Sequence, residues 1–486
     1  MKNILKKLSP LALAVLMLTS CEKDYLETAP TQSVASDEVF KTVDGAFVAL
    51  NGTFRSMWTS MGGSHGHFGQ KSHDLTMDLM GTDIVLHTRG YNWFTGEYNL
   101  SAYASATDGS RSGLAWEYYY RTISNANRII ANVDKATGNP ADKEYIKGNA
   151  LALRAYSYFY LANLWQHTYK GHETAPAVPL YTEPTTEGKP RATVQEVYDQ
   201  IVADLTQAET LLAGKTRKHI SHLNAAAVKG IRARVALQME DYATAAAKAN
   251  EARQGLAPMS ATAYTAGFGK ANSEWMWGLE IPNDQSTIYA SFFSHFDAKV
   301  VSYASLGLQK KITKELYDQI PAGDVRKSVF ITPGTGTAKL PDYNQTKFTL
   351  PVAGSWAADY ILMRASEMYL IEAEALARLG NEGEAQTVLN ALVQARNPAY
   401  SATQTGSDLI NEILLQRRIE LWGEGFSLLD LKRTKTNIKR PDGDGNHQAA
   451  LAVVFERAID DPTLLWRIPQ SEIDANDALA PADQNP

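Results

Sequence analysis

The segment from Ile361 to Arg396, ILMRASEMYLIEAEALARLGNEGEAQTVLNALVQAR, restricts the possible folds of this chain most sharply. Leu362, Ala365, Tyr369, Ala373 and Leu376 form one apolar stripe at helical spacing. Met368, Ile371, Ala375 and Leu379 form a second. A helix with two apolar stripes is buried from two sides, as in a stack of helices. Gly380 and Asn381 tolerate a left-handed cap and end it. A second amphipathic helix follows, with Ala385, Val388, Leu389, Leu392 and Val393 on one face, and Asn397-Pro398 stops it. The segment reads as a helical hairpin of the tetratricopeptide type, with small residues at its contacts.

The pattern recurs. A shift of 140 residues lays Ala233 on Ala373, Val235 on Ala375, Met239 on Leu379 and Ala245 on Ala385. A shift of 78 lays Arg154-Ala155 on Arg232-Ala233 and Leu161 on Met239. Regular tandem repeats of this kind come every ~34 residues, so long insertions separate the units. The expected fold class is mainly α, a tetratricopeptide-like helix-pair scaffold with long irregular loop insertions. Residues 39–486 are expected to form one domain. Its scaffold lies mainly at 114–254 and 359–433, and its loop-rich insertions at about 62–113 and 255–358. Such scaffolds present binding loops and rarely do chemistry themselves.

Within the scaffold, Val39–Trp58, Leu114–Val133, Asp142–His167 and Asp408–Gly423 read as further helices. Thr193 and Glu196 form a capping box that opens a helix to Leu212.

Residues 1–20 read as a signal peptide: a basic start with Lys2, Lys6 and Lys7, then an apolar core from Leu8 to Leu18, too short to span a bilayer. Leu18-Thr19-Ser20-Cys21 looks like a bacterial lipobox, and Cys21 is the only cysteine, so no internal disulfide is possible. Lipidated Cys21 carries several acyl chains, enough for stable anchoring. Residues 21–38, rich in Thr, Pro and Ser, read as a polar tether. The formal charge is -6 with the basic leader included. That balance argues against nucleic acid and anionic membrane as partners.

Four stretches together resemble the SusD/RagB family of outer-membrane lipoproteins from Bacteroidetes. They are the lipobox at Cys21, Leu153–Leu161 (LRAYSYFYL), Arg364–Ala375 (RASEMYLIEAEA), and Arg417–Phe426 (RRIELWGEGF) with Asp430–Arg433. The close also fits, with Trp466-Arg467-Ile468-Pro469 and the terminal Gln484-Asn485-Pro486. Gln416 departs from the glutamate common in the family, which puts one local ion pair in question. The resemblance implies a cell-surface glycan-binding protein, lipid-anchored in the outer membrane and facing the exterior. It would sit as a lid over a SusC-like TonB-dependent transporter and deliver oligosaccharides to it, with no catalysis and no cofactor.

Sugar recognition needs flat aromatic faces for the C–H side of a ring and polar groups for its hydroxyls. His87, Arg89, Tyr91, Asn92 and Trp93, with Asp83 upstream, have that composition in a stretch without periodicity. Tyr289, preceded by Ser286 and Thr287, and Trp356, beside Ser355, are the candidates in the second insertion. Phe292, Phe293 and Phe296 read as core. Arg364, Glu367, Glu372, Arg417, Glu420, Glu424, Asp430 and Arg433 read as ion pairs and caps.

Neither metal pattern holds. Asp442-Gly443-Asp444-Gly445-Asn446 opens like a calcium loop but has His447 at the sixth position and Val453 at the twelfth. His65, His67 and His73 lie in a Gly-rich loop without fixed geometry or a cysteine. Asp74, Asp78 and Asp83 are the nearest approach to a glycosidase carboxylate pair. An alternative to glycan binding is a helical-repeat adaptor whose aromatics anchor a protein or peptide ligand.

Overall fold

Helical hairpins form where the apolar periodicity puts them, and a computed structural model describes them over residues 38–486. The signal peptide, Cys21 and all but the end of the tether lie outside the described residues. Helix α1 (Val43–Ser56) is capped by Thr42, whose hydroxyl accepts the Gly45 N–H at 3.2 Å. Helix α2 is Gln70–Leu79 and strand β1 is Ile84–Leu86. Helices α3 (Arg111–Asn132), α4 (Pro140–Trp165) and α5 (Val194–Leu212) pack in succession. The capping box opens α5 as expected: Glu196 N–H donates to Thr193 Oγ1 and Thr193 N–H to the Glu196 carboxylate.

Helices α6 (Ala225–Gln238) and α7 (Tyr242–Arg253) form the next hairpin, followed by β2 (Trp275–Leu279), α8 (Phe292–Phe296) and β3 (Lys310–Ile312). Strand β4 (Tyr360–Arg364) leads into α9 (Ala365–Arg378) and α10 (Glu382–Val393). Helices α11 (Gly406–Glu420) and α12 (Ser427–Arg433) complete the scaffold.

The 140-residue repeat holds to the residue. Both ends of α6 fall on both ends of α9, and both ends of α7 on both ends of α10. The turn is shared too. Gly380, at φ +82°, corresponds to Glu240, at φ +60°, and the helix-opening Asn381 to Asp241. Alanines 233, 236, 245, 249 and 252 are buried, which allows the helix axes to approach closely.

Two expectations need correction. The first helix of the central hairpin does not begin at Ile361; Tyr360–Arg364 is a strand paired antiparallel with β2. An all-apolar run does not distinguish helix from strand by period. Glu274 sets the boundary: its backbone carbonyl accepts Ala365 N–H and its carboxylate accepts Ser366 N–H, both at 3.0 Å. Leu379 is also outside its stripe: it caps α9 and is 46% exposed.

The insertion at 62–113 is not a surface loop throughout. Every residue of α2 is buried, so it has no polar face to generate a period. Its carboxylates are engaged internally: Gln70 Nε2 donates to Asp74, and Asp78 accepts Gly425 N–H and Ser427 N–H at 2.8 and 3.0 Å, capping α12. Burial pushes the Asp78 carboxyl up to about 7. The two insertions meet in a small sheet, with Ile84 opposite Ile312 and Leu86 opposite Lys310. That pairing brings residues 87–94 beside 303–309.

The family-type charged residues are internal supports, as expected. Arg364, fully buried, donates to Glu274, Glu420 and Glu424. Arg396 and Arg326 complete the cluster around Glu420. Arg234 pairs with Glu367 and Arg433 with Glu374 and Asp430. Gln416, where a glutamate was expected, accepts a hydrogen bond from Arg326 at 2.6 Å and donates to Glu412.

Candidate glycan-binding shelf

A column of rings climbs from the core to solvent where the two insertions meet. Phe68 stacks on His295 at 5.3 Å, His295 on Tyr303 at 5.1 Å, and Tyr303 lies 5.2 Å from Tyr289. His295 is fully buried, and burial lowers its pKa well below the ordinary imidazole value. Its neutral ring donates from Nε2 to the His65 carbonyl at 2.9 Å. His65 Nδ1 and the Tyr303 hydroxyl share a hydrogen bond of 2.7 Å. The His65 ring then stacks on Tyr289, 15° from parallel, and lies 5.9 Å from Trp93.

Around this column Tyr91, Trp93 and Tyr289 make a shallow aromatic surface. Tyr91 is 62% exposed and Tyr289 39%, and Trp93 is half-buried. Tyr303 touches all three rings, at 5.4 Å from Tyr91 and 6.0 Å from Trp93. Aromatic faces in this arrangement suit the apolar face of a pyranose, with Asn92, His65 and the Tyr hydroxyls at hand for its hydroxyls.

The shelf has a rigid base. Asn92 and Phe94 both adopt positive φ, +66° and +62°, uncommon for non-glycine residues and costly unless surroundings enforce it. Phe94 is buried and sits beneath Arg111, whose guanidinium lies 4.7 Å from its ring. Arg111 Nε pairs with Glu97 at 2.6 Å, and its Nη1 donates to the Gly66 carbonyl at 2.8 Å. One arginine therefore fixes both the His65 loop and the Trp93 loop. On the far side Thr88 Oγ1 donates to the Gly307 carbonyl at 2.5 Å.

Of the candidates read from sequence, Tyr91, Asn92, Trp93 and Tyr289 come together here, with Arg89 exposed at the margin. Three others lie elsewhere. Asp83 is buried in an ion pair with Arg418 (2.6 and 3.0 Å), because its strand neighbour Ile84 pairs inward with β3. It borders a cavity of about 580 Å3 between α11, α12 and β1, away from the shelf. His87 is half-buried at the strand edge, its N–H donating to the Gln309 carbonyl, and burial lowers its pKa. Trp356 lines a separate cleft of about 320 Å3 with Trp58, Ser286 and Thr287.

His65 and Tyr303 are the shelf residues that sequence reasoning missed. The signal for Tyr303 was its place in the aromatic-rich insertion. His65 was grouped with His67 and His73, which are instead buried with their rings 5.0 Å apart. Among the described residues no group of three or more His, Cys, Asp or Glu is arranged to hold a metal. At the calcium-like turn, Asn446 Oδ1 accepts Glu315 N–H and His447 is buried between Tyr98 and the Thr82 carbonyl.

Comparison with known proteins adds independent findings. Residues 25–237 match a family described as "Starch-binding associating with outer membrane", and residues 332–486 match the SusD family. The SusD-like protein P38 of Formosa agariphila is 23% identical, over 93% of this chain and 96% of that protein. The crystal structure of a SusD-like carbohydrate binding protein from Bacteroides vulgatus superposes with a TM-score of 0.80 at 29% identity, covering 92% of this chain and 98% of that one. A SusD superfamily protein from Bacteroides thetaiotaomicron gives 0.80 at 25% identity, covering 92% and 100%.

Proposed function

The chain belongs to the SusD family, and from that premise we propose that it captures oligosaccharides at the cell surface on the shelf of Tyr91, Trp93 and Tyr289. It delivers them to a SusC-like TonB-dependent transporter, anchored beside it in the outer membrane through lipidated Cys21. It binds glycan without cleaving it. Asp74 and Asp78 are buried and engaged by Gln70, Lys71 and the turn before α12, and Asp83 by Arg418, so none is free to act as a paired acid and base on a sugar.

The observation that carries this reading is the exposed aromatic shelf on a rigid base. The cavity beside α11 is lined by residues already engaged in ion pairs, Asp83 with Arg418 and Arg417 with Asp430, whereas Tyr91 and Tyr289 turn open ring surface to solvent. Removing about 60 Å2 of apolar sugar and ring surface from water, at about 25 cal/mol per Å2, is worth about 1.5 kcal/mol, roughly ten-fold in affinity. Trp93→Ala is therefore expected to weaken binding by about that factor, measured by calorimetry or affinity electrophoresis, while the variant keeps a cooperative unfolding transition at a somewhat lower midpoint, because the inner face of the ring packs on the core. Wild-type affinity in that variant would remove Trp93 from the site. No binding by the intact protein to any of a broad set of polysaccharides would leave the protein-ligand adaptor as the better reading.

A further inference from the structure

The margin of the shelf carries cations without acidic partners, in a protein whose overall charge is negative; the Arg89 guanidinium reaches only the Ala450 carbonyl, at 3.5 Å. Residues 60–69, 87–94 and 286–309, which build the shelf, contain Arg89 and Lys299 and a single acid, Asp297. Asp297 is buried and faces inward, accepting Lys299 N–H at 2.8 Å and Leu350 N–H at 2.9 Å. A third cation arrives from outside these segments. Lys339 Nζ donates to the Lys299 carbonyl at 2.7 Å, and the Lys339 carbonyl accepts from Gln309. Its nearest acid in sequence, Asp342, is engaged by Gly334 N–H and Gly336 N–H.

These cations are tied to the aromatic surface through the backbone. Lys299 lies four residues before Tyr303, in a non-helical segment closed by Ser302 Oγ donating to the Asp297 carbonyl. Arg89 lies two residues before Tyr91, on the loop that Thr88 fastens to Gly307. Arg89, Lys299 and Lys339 are all exposed, and among the described residues none of the three forms a salt bridge. A positive edge beside a neutral aromatic surface favours a ligand that carries negative charge outside its rings.

We propose that the shelf selects anionic glycans: its rings take the pyranose faces, and Arg89, Lys299 and Lys339 take carboxylate or sulfate substituents. This rests on the glycan-binding reading above and narrows it to a charge class. Uronates and sulfated sugars share the chemistry, and the planar guanidinium of Arg89 is able to hold either group bidentately.

The test compares oligogalacturonates, dextran sulfate and uncharged glucan oligosaccharides on the full folded domain. Either or both acidic ligands are expected to bind more tightly than the glucan at low salt. The advantage should collapse near 1 M salt, where the screening length falls to about 3 Å. Each of Arg89→Ala, Lys299→Ala and Lys339→Ala should lower the acidic-to-neutral affinity ratio about two- to five-fold. Trp93→Ala should weaken acidic binding as well, which separates seated ligand from polyanion adsorbed on charge alone. Tighter binding to the glucan, or an affinity ratio indifferent to the three cations, would overturn the charge assignment and leave the glycan-binding function standing. Acidic binding that survives Trp93→Ala would overturn it also. Absence of binding to all three classes would count against both.

Discussion

The Arg111–Glu97 pair offers a way to disable the shelf without touching an exposed ring. Both side chains are less than a tenth exposed, and the pair's N–O distance is 2.6 Å. Arg111→Met keeps an apolar stem beside Phe94 but strands the Glu97 carboxylate and leaves the Gly66 carbonyl without its donor. Removing one partner of a buried pair costs about 3–5 kcal/mol. Glu97→Gln should cost less, about 2 kcal/mol, because its amide oxygen still accepts from Arg111.

This pair ties the loops at 62–69 and 89–96 together alongside the Phe68–Phe94 and His65–Trp93 ring contacts, so part of the loss should be local. If they open at a cost of about 2 kcal/mol in the native protein, a loss of about 3 kcal/mol leaves them closed only about one-sixth of the time. Apparent glycan affinity then falls roughly six-fold with no ligand contact removed. Hydrogen exchange should show protection lost in both loops together, beside calorimetry for affinity and urea unfolding for stability. A double variant should lose less than the sum of the two single ones. Should Arg111→Met cost under about 1 kcal/mol while binding and exchange stay native, the pair is not the base of the shelf and the reasoning fails.

Two further outcomes follow from charge and anchoring. The Glu374 carboxyl is pushed up by burial, but Arg433, Arg378 and Arg417 outweigh this and hold it down at about 2, below its ordinary 4.5. Its stabilising effect is therefore complete above about pH 4.5 and lost as pH falls toward 2. Glu374→Gln should unfold more easily at neutral pH, by about 3 kcal/mol, and show a flatter acid-side dependence in urea titrations between those values. An unaltered acid profile would show that Glu374 is not the group responsible. Cys21→Ser should abolish labelling with a radioactive fatty acid and release the protein from the outer-membrane fraction; a labelled variant would exclude thioether lipidation at that residue.

The scaffold was legible because its helices are amphipathic or doubly striped, and repeat copies share boundaries. The ends of α6 and α7 map onto those of α9 and α10 even where the chemistry changes, Glu240 taking the left-handed position that Gly380 takes in the copy. Helix α2 was illegible for the complementary reason. Wholly buried, it satisfies Gln70, Asp74 and Asp78 from within the core, so no face is free to alternate. Strand β4 carries no period that separates it from a helix, because Ile361, Leu362 and Met363 are apolar in succession, and the cue that ends it, Glu274, lies 90 residues before Arg364.

The same distinction explains why most of the shelf is legible in the sequence and His65 and Tyr303 are not. Tyr91, Asn92 and Trp93 betray themselves locally: they are aromatic or polar, adjacent, and outside any period. Tyr303 and His65 become shelf residues only through contacts that span more than 200 positions, the 2.7 Å bond between them and the bond from His295 to the His65 carbonyl. Their register depends in turn on the pairing of Ile84–Leu86 with Lys310–Ile312. Composition near a residue can suggest that it is exposed and sticky to sugar. It cannot say which distant loop will stand beside it, and Asp83, eight to ten residues from Tyr91–Trp93 yet turned into a pair with Arg418, shows how quickly sequence proximity loses its meaning once a strand intervenes.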